Sequence, residues 1–277
     1  MQPKLGIIAG GGELPVRIIA ACRAAERPFF VLALEGQTPP ATVTDTPHAW
    51  VRMGAGGKAL RILRAANVEE LVLAGPVRRP SIAELKPDLW TAKFVARVGI
   101  KSLGDDGILG ALVRELELKE GFRVVGAETL LPGVQASEGV LGQVRPDEQA
   151  LDDIARGITV ASALCALDAG QACVVQQGLV LATEAIEGTD AMLARAGALR
   201  RDGPGGVLVK VGIAKSEGRA DLPTIGAASI DAAAAAGLRG IAVEANCALI
   251  IDREHAIQAA DAAGLFIIAV DTSTDVR

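Results

Sequence analysis

The sequence predicts a two-domain α/β protein. Short apolar runs alternate with amphipathic helical segments along most of its 277 residues, and this alternation is typical of strands that helices join into parallel sheets. Half of the residues are hydrophobic, most of them Ala, Val, Leu and Ile, and only 3% are aromatic. A chain of this length and composition can bury a large core of helices packed on strands.

The first domain repeats a strand–helix–strand order. Strands are predicted at 4–9, 29–34, 49–53 and 70–74, with helices at 13–26 and 57–67 between them. A basic, proline-containing loop follows at 75–88, and then helices at 89–101 and 106–120 and a strand at 122–127. The repeated order predicts a doubly wound, Rossmann-like sheet, and hence a nucleotide-binding-like domain over residues 1–132.

The second domain is predicted to begin after a linker at 133–147, where Pro and Gly occur without hydrophobic periodicity. Residues 148–277 again combine strands and helices around an irregular loop at 214–226. Helices are expected at 148–169, at 190–201 and in the Ala-rich segment after 226, and strands at 172–177, 179–184, 206–213, 240–245, 248–252 and 265–270. This domain is therefore α/β in type, with a strand order that the pattern leaves open.

The residue inventory argues against several classes of protein. His48 and His255 are the only histidines, no G-x-S-x-G segment occurs, and the four cysteines form no C-x-x-C pair. The sequence therefore has few of the residues that a zinc hydrolase or a Ser-His triad needs. Few aromatic residues and no basic block argue against nucleic-acid binding. No signal sequence is visible and no apolar run reaches the roughly 18 residues of a membrane span, so a cytoplasmic protein is expected.

Gly10, Gly11 and Gly12 stand between the first predicted strand and helix, where a dinucleotide-binding fingerprint would lie. The fingerprint G-x-G-x-x-G needs a third glycine, and Pro15 occupies that position, which disfavours NAD. Proline is accepted in the first turn of a helix. Consecutive glycine N–H groups at a helix N-terminus favour a bound phosphate, and a tight turn without a ligand is the alternative.

Three carboxylates lie where a predicted strand gives way to a helix. Glu184, Glu187 and Asp190 surround Gly188 and Thr189. Thr189 can cap the helix, and its N–H and hydroxyl are expected to face a bound anion. Carboxylates beside an anion suit Mg²⁺, which prefers hard oxygen ligands and can bridge them to a phosphate. The alternative is an ordinary capped helix with a favourable first-turn acid.

The loop after the 206–213 strand mixes acids and bases. Lys210, Lys215 and Arg219 are close in sequence to Glu217 and Asp221. Such a mixture suits phosphoryl chemistry, because cations neutralise phosphate oxygens while a carboxylate holds a metal or takes a proton from water. A solvated loop with a few surface ion pairs is the alternative.

Asp105 and Asp106 immediately precede an amphipathic helix. A helix cap and a first-turn acid explain this pair in structural terms. Paired aspartates also bind metal ions, so both residues stay candidates for a metal site.

Nine segments, in order along nearly the whole chain, resemble the LpxI family of UDP-2,3-diacylglucosamine diphosphatases from the lipid A pathway. They are "LGIIAGGGELP", "LVLAGPVRRPS" with "LKPDL", "GDDGILGALVRELE", "GFRVVGAETLLP" with "EGVLG", "EAIEGTDAMLARAG", "RADLPTIG" and "GLRGIAVEA". The most specific of these are "EAIEGTD" and "DLPTIG".

The resemblance implies an Mg²⁺-dependent hydrolase, with other divalent cations as possible replacements. Water would attack the α-phosphorus of UDP-2,3-diacylglucosamine and release UMP and 2,3-diacylglucosamine 1-phosphate (lipid X). The implied residues are Asp221, Arg219 and Lys210 for catalysis, Gly11, Gly12, Gly188, Thr189, Thr224 and Lys215 for phosphate or substrate binding, and Asp221, Glu187, Asp190, Asp105 and Asp106 for the metal.

The same resemblance implies a lipid-linked sugar nucleotide as substrate. Two acyl chains on that substrate imply contact with the inner-membrane surface, and a homodimer is compatible with the sequence. Two other classes stay open: a nucleotide-dependent oxidoreductase in which Glu35 bonds a ribose hydroxyl, and a carrier that binds a lipid or nucleotide without turnover.

Overall fold

The structure, a computed structural model, describes residues 2–78, 82–98, 105–212 and 222–272, with the backbone alone at 82, 83, 105 and 106. The described residues divide into two compact units, one ending at Pro132 and the other beginning at Gly133. Both units are α/β. In the described ranges, no helix is both long and apolar enough to cross a membrane.

The first unit alternates strands and helices, as the apolar runs predict. Its elements are β1 (Leu5–Ala9), α1 (Leu14–Ala24), β2 (Phe29–Leu34), a 3₁₀ turn (Pro40–Val43), β3 (His48–Val51), α2 (Gly56–Ala65), β4 (Glu70–Ala74), α3 (Ile82–Leu85), α4 (Leu89–Val98), α5 (Asp105–Leu118), β5 (Arg123–Val124) and α6 (Ala127–Leu130).

The first sheet has the strand order β3-β2-β1-β4-β5, and each pair of neighbours is parallel. The chain changes direction across the sheet between β1 and β4, the kind of point where open α/β sheets bind ligands. Leu5 and Ile7 are buried on one face, and Leu32 and Leu71 are buried on the other. Both faces are therefore covered, which explains the continuous apolar character of these strands.

The second unit contains a larger mixed sheet. Its elements are β6 (Gly139–Leu141), α7 (Glu148–Ala166), β7 (Ala172–Gln176), β8 (Leu179–Thr183), α8 (Gly188–Ala198), β9 (Val207–Lys210), β10 (Thr224–Ile225), α9 (Ala227–Ala235), β11 (Gly240–Glu244), β12 (Leu249–Ile250), α10 (Arg253–Ala262) and β13 (Phe266–Val270).

The strand order of this sheet is β6-β13-β11-β9-β7-β8. The strands β9, β11 and β13 are mutually parallel, β7 is antiparallel to both β9 and β8, and β6 is antiparallel to β13. One face packs on α8, α9 and α10 through Met192, Ile230 and Ala256. The other face packs on α7 through Ile154. The two short strands β10 and β12 pair separately and in parallel.

A buried carboxylate closes the β7–β8 hairpin. Gln177 and Gly178 both adopt positive φ, as a two-residue hairpin turn of this kind requires. Asp153 of α7 is 1% exposed and accepts hydrogen bonds from the N–H groups of Gln177 at 3.0 Å and Gly178 at 2.6 Å. Asp153 of α7 therefore holds Gln177 in a left-handed conformation that residues other than glycine disfavour.

The structure departs from the predicted elements in several places, including α3 (Ile82–Leu85) and β10 (Thr224–Ile225) within predicted loops. Residues 133–147, predicted as a linker, contain β6, which extends the sheet of the second unit by pairing with β13. The strand predicted at 122–127 is limited to two paired residues because α6 begins at Ala127. The helix α10 has no counterpart among the predicted elements, since its residues follow closely on a strand and its buried side chains are small alanines.

Asp88 caps two helices of the first unit at once. Its Oδ1 accepts from the N–H of Thr91 at 2.9 Å, in the first turn of α4. Its Oδ2 accepts from Gly57 at 2.8 Å and Lys58 at 3.3 Å, in the first turn of α2. Partial burial raises the pKa of the Asp88 carboxyl, but the hydrogen bonds from Thr91, Lys58 and Gly57 outweigh burial and hold that pKa below its ordinary value.

Asp88→Ala is expected to lower the thermal midpoint of unfolding by about 2–4 °C at pH 7, because two helices lose one cap. A lowered pKa in the folded state stabilises the fold above the unfolded pKa of about 3.9, and that stabilisation is lost as the pH falls through the folded pKa. The gap between the variant and the wild type should therefore close between pH 5 and pH 3, roughly. Thermal unfolding followed by circular dichroism measures this difference in midpoint. The control is Asp152→Ala, at an exposed position on α7, which is expected to match the wild type at both pH values. A gap that does not change with pH would contradict the assignment.

Candidate active site

One edge of the second sheet gathers the carboxyl ends of four strands. The strands β9, β11 and β13 run parallel and end there, and β8 ends there too because β7 is antiparallel to both β8 and β9. Ligands of α/β sheets bind at the carboxyl ends of strands, where loops and helix N-termini converge. The residues that follow β8 and β9 are the ones with acid–base and phosphate-binding chemistry in the sequence.

A chain of polar side chains lies at this edge, and we call its members Glu184, Thr189, Lys210 and Thr224 the lysine cluster. The Thr189 Oγ1 lies 2.5 Å from the Glu184 Oε1 and 3.1 Å from the Lys210 Nζ. The Lys210 Nζ is also 3.5 Å from the carbonyl oxygen of Thr224, and the Glu184 Oε2 accepts from the N–H of Gln171 at 3.1 Å. Both Glu184 and Lys210 are only 8% exposed. The fold therefore buries one acid and one base together at the strand ends.

The hydrogen bonds of the lysine cluster have fixed directions. An ionised carboxylate only accepts and an ammonium only donates. The single proton of the Thr189 hydroxyl is therefore directed to Glu184, and its oxygen accepts from Lys210. The sequence pattern predicts that the hydroxyl of Thr189 faces an anion. In this arrangement the hydroxyl proton points away from such an anion, and the N–H of Thr189 is the group that can donate to it.

The N-terminus of α8 adds positive electrostatic potential to the same place. The N–H groups of a first helical turn lack intrahelical acceptors, and the helix dipole favours an anion there. Gly188 starts the helix with φ of +79° and open space around its α-carbon. Thr189 follows it and contacts the Lys210 ammonium. An ammonium and helix N–H groups together form a site suited to a phosphoryl oxygen.

The two carboxylates that flank this turn differ in their partners. Glu187 forms an ion pair with Arg195 at 2.5 Å, and Arg195 also donates to the Thr183 carbonyl at 2.9 Å. A hydrogen bond from its own N–H and the bond from Arg195 lower the pKa of the Glu187 carboxyl. Asp190 is exposed in the first turn of α8. Asp190 is therefore the more accessible oxygen donor of the two.

Several predicted site residues lie outside the part of the chain that the structure describes. These are Lys215, Arg219 and Asp221. Asp105 and Asp106 form the first two positions of α5 in the first unit, and their side chains are likewise not described. Within the described ranges, no group of three His, Cys, Asp or Glu side chains converges as a metal site would require.

A second group of polar contacts lies at the same sheet edge, around Glu244, for which the sequence predicts no site. The Glu244 Oε2 accepts from the N–H of Gly212 at 2.6 Å, and its Oε1 accepts from the Thr272 hydroxyl at 2.5 Å. Burial, together with the negative charge of Glu244, raises the pKa of the Cys247 thiol to about 12. Glu244 thus joins the ends of β9, β11 and β13, and Cys247 stays a neutral thiol beside it.

The glycine-rich turn of the first unit packs against the loop that follows β4. Gly10 donates its N–H to the carbonyl of Ala74, and Gly11 donates its N–H to the carbonyl of Pro76, both at 2.8 Å. Gly12 adopts φ of +70°, a left-handed conformation that favours glycine. The N–H of Gly12 lies just before α1, which begins at Leu14, so it is one of the backbone donors that a phosphate could use there.

Comparison with known proteins assigns both halves of the chain. The family model described as the LpxI N-terminal domain matches residues 4–134, and that described as the LpxI C-terminal domain matches residues 137–268. The chain belongs to the LpxI family. The family resemblance carried by "EAIEGTD" and "DLPTIG" is therefore confirmed.

The LpxI assignment agrees with a curated relative. The UDP-2,3-diacylglucosamine pyrophosphatase LpxI of Caulobacter vibrioides is 42% identical over 275 residues, which cover 97% of this chain and 98% of the relative. Among solved structures, the biotin carboxylase subunit of pyruvate carboxylase is similar over 63% of this chain and 35% of its own, at 16% identity and a TM-score of 0.21. That likeness is too weak to support any argument.

Gly10→Ala is expected to destabilise the first unit of this LpxI chain by about 1–3 kcal/mol, because the added methyl group would overpack that turn. A methyl group on Gly10 would lie 2.5 Å from the Pro76 carbonyl oxygen and 2.8 Å from that of Gly75. The matched control is Gly11→Ala, whose methyl group would have no neighbour closer than 3.5 Å. Urea unfolding followed by circular dichroism measures both variants. Equal stability of the two variants would show that the close approach of the loops is not what requires glycine.

Proposed function

We propose that this chain hydrolyses UDP-2,3-diacylglucosamine to UMP and 2,3-diacylglucosamine 1-phosphate, in lipid A biosynthesis. The observation that carries the proposal is the buried Lys210 ammonium in contact with the first turn of α8, at the carboxyl edge of the sheet. This arrangement suits the oxygens of a diphosphate. The name of the Caulobacter vibrioides relative supports the choice of substrate.

The proposed reaction is an in-line attack of water on the α-phosphorus. One new P–O bond forms, and the bond between the α-phosphorus and the bridging oxygen breaks. The bridging oxygen leaves with the sugar phosphate, and the oxygen of the attacking water stays in UMP. Lys210 and the N–H of Thr189 would bind a non-bridging oxygen and stabilise the negative charge that grows on it. The rate gain would come mostly from positioning and electrostatics.

Asp221 is the proposed general base, and Arg219 and Lys215 are proposed to contact the phosphates. All three are assigned by their place in the family segment "KSEGRADLPTIG" and lie outside the described residues. The described chain resumes at Leu222, and Thr224 two residues later contacts Lys210. This short separation in sequence supports a role for Asp221 near the lysine cluster.

Mg²⁺ is the proposed cofactor, with Asp190 as its proposed protein ligand and Asp221 kept as the base for the attacking water. Mg²⁺ is usually held by one or two carboxylates together with water and substrate phosphates, so an exposed acid in the first turn of α8 fits it. Glu187 is the weaker candidate because Arg195 engages its carboxylate. When bound, the ion would offset charge on the phosphoryl oxygens and lower the pKa of a coordinated water.

The first unit is proposed to be a Rossmann-like domain that binds the nucleotide. Two observations support this: the chain changes direction across the sheet between β1 and β4, and the N–H of Gly12 lies at the start of α1. Substrate with two acyl chains also supports peripheral action at the inner face of the inner membrane, by a cytoplasmic protein.

Hydrolysis of UDP-2,3-diacylglucosamine in ¹⁸O-enriched water tests the reaction, with Mg²⁺ and then with EDTA. Mass spectrometry should find the label in UMP in the presence of Mg²⁺, and cleavage should stop with EDTA. Label in the sugar phosphate instead would move the attack to the β-phosphorus. Tight binding by calorimetry without cleavage under any divalent metal would indicate a carrier and refute the proposal.

Asp221→Ala should lower kcat by at least about 100-fold, the lower range for loss of a general base. KM and the thermal midpoint should stay close to wild-type values, because the residue acts on the attacking water rather than on the bound substrate. Initial rates across a substrate series measure both constants, with Asp152→Ala as the matched control expected to leave them unchanged. Full activity in Asp221→Ala would assign the base to another residue.

A further inference from the structure

Glu184 places a negative charge where the proposed function needs a diphosphate to bind. Its carboxylate is one hydroxyl group away from the Lys210 ammonium, and Coulomb repulsion acts between it and any bound phosphate. The carboxylate is also 8% exposed, and burying an acid costs free energy unless partners compensate for the lost hydration. A neutral residue could accept the hydrogen bond from Gln171 equally well. The hydrogen bond from Gln171 therefore does not by itself explain why an acid occupies position 184.

The use is visible in the direction of the Thr189 hydroxyl. With a carboxylate at 184, the only proton of the hydroxyl is drawn to the Oε1 at 2.5 Å, and a lone pair of the same oxygen is left to accept from Lys210 at 3.1 Å. With an amide at 184, the NH₂ group could donate to the Thr189 oxygen instead. The hydroxyl proton would then be free to turn towards the ammonium, which cannot accept it.

The same carboxylate compensates the buried ammonium. Lys210 is as buried as Glu184, and a buried ammonium needs nearby negative charge and acceptors to replace its lost hydration. The bridging hydroxyl keeps the two charges close while leaving a full side chain between the carboxylate and the phosphate site. The Glu184 carboxylate is therefore farther from the phosphate that it repels than from the Lys210 ammonium that it attracts, so the attraction is the stronger of the two.

We propose that Glu184 is a positioning residue for phosphoryl transfer: it fixes the Thr189 hydroxyl as an acceptor and thereby orients the Lys210 ammonium towards the phosphate. The inference rests on the proposed function for its chemistry, and on the contacts of Glu184, Thr189 and Lys210 for its geometry. Glu184 itself does not contact the substrate in this arrangement.

The test compares Glu184→Gln, Thr189→Val, Thr189→Ser and the double variant Glu184→Gln/Thr189→Val on UDP-2,3-diacylglucosamine with Mg²⁺. Glu184→Gln and Thr189→Val should each lower kcat roughly 10- to 100-fold, the range for a lost hydrogen bond to a charged group. KM should change less than about threefold, since the loss is felt mainly in the transition state. Thr189→Ser keeps the hydroxyl and should recover most of the kcat that Thr189→Val loses.

The double variant distinguishes positioning from independent damage. Because both single changes break the same chain of hydrogen bonds, the double variant should be no slower than the slower single variant. Glu148→Gln, an exposed acid in the first turn of α7, is the control expected to keep wild-type kinetics. Wild-type kcat in Glu184→Gln, or losses that multiply in the double variant, would overturn the proposal.

A second readout needs no substrate. Proton exchange of the Lys210 ammonium with water, followed by ¹⁵N NMR, should be slow in the wild type and at least about tenfold faster in Thr189→Val and Glu184→Gln, since both lose the fixed acceptor. Unchanged exchange in both variants would overturn the proposal even if activity falls. Failure of the wild-type protein to cleave the substrate would instead refute the proposed function, and the exchange rates would still decide whether Glu184 orients Lys210.

Discussion

A lysine ammonium can be buried only where acceptors and negative charge surround it, and Lys210 imposes this condition on the second unit. Glu184 after β8 and Thr189 in α8 meet the condition from two different elements. The two strand ends lie at one sheet edge because β7 runs antiparallel between them. A slip of β8 by one residue would turn Glu184 to the opposite face of the sheet. The site therefore depends on strand register as much as on residue identity.

The strand-to-helix turns that open α1 and α8 use their backbone groups differently. In the first unit, Gly10 and Gly11 give their N–H groups to carbonyls of the loop after β4, so this turn is built mainly for close packing. In the second unit, the first turn of α8 faces the side chain of Lys210. The first turn is thus mainly a packing feature, whereas the second brings helix N–H groups and an ammonium together.

Much of the fold was predictable because β1, β2, β4 and most strands of the second sheet are buried on both faces and read as apolar runs. The three-residue strand β6 was not, since its pairing with β13 joins segments far apart in sequence. The sequence places three acids in the stretch 183–193, but it does not show which of them is buried. Only the pairing of Ala172 with the residues after β8 shows that Glu184 is the buried one. The direction of the Thr189 proton depends on both Glu184 and Lys210, which sequence spacing does not bring together.

The contacts of Glu244 have a consequence for how this family can vary. Glu244 holds Gly212 at the end of β9, and the N–H of Leu249 donates to the Pro223 carbonyl at 2.8 Å. The described residues on the two sides of 213–221 are thus each held by hydrogen bonds within the second unit. Closing a loop costs conformational entropy that grows only slowly with its length. Insertions and deletions between Gly212 and Pro223 should therefore cost the second sheet little stability.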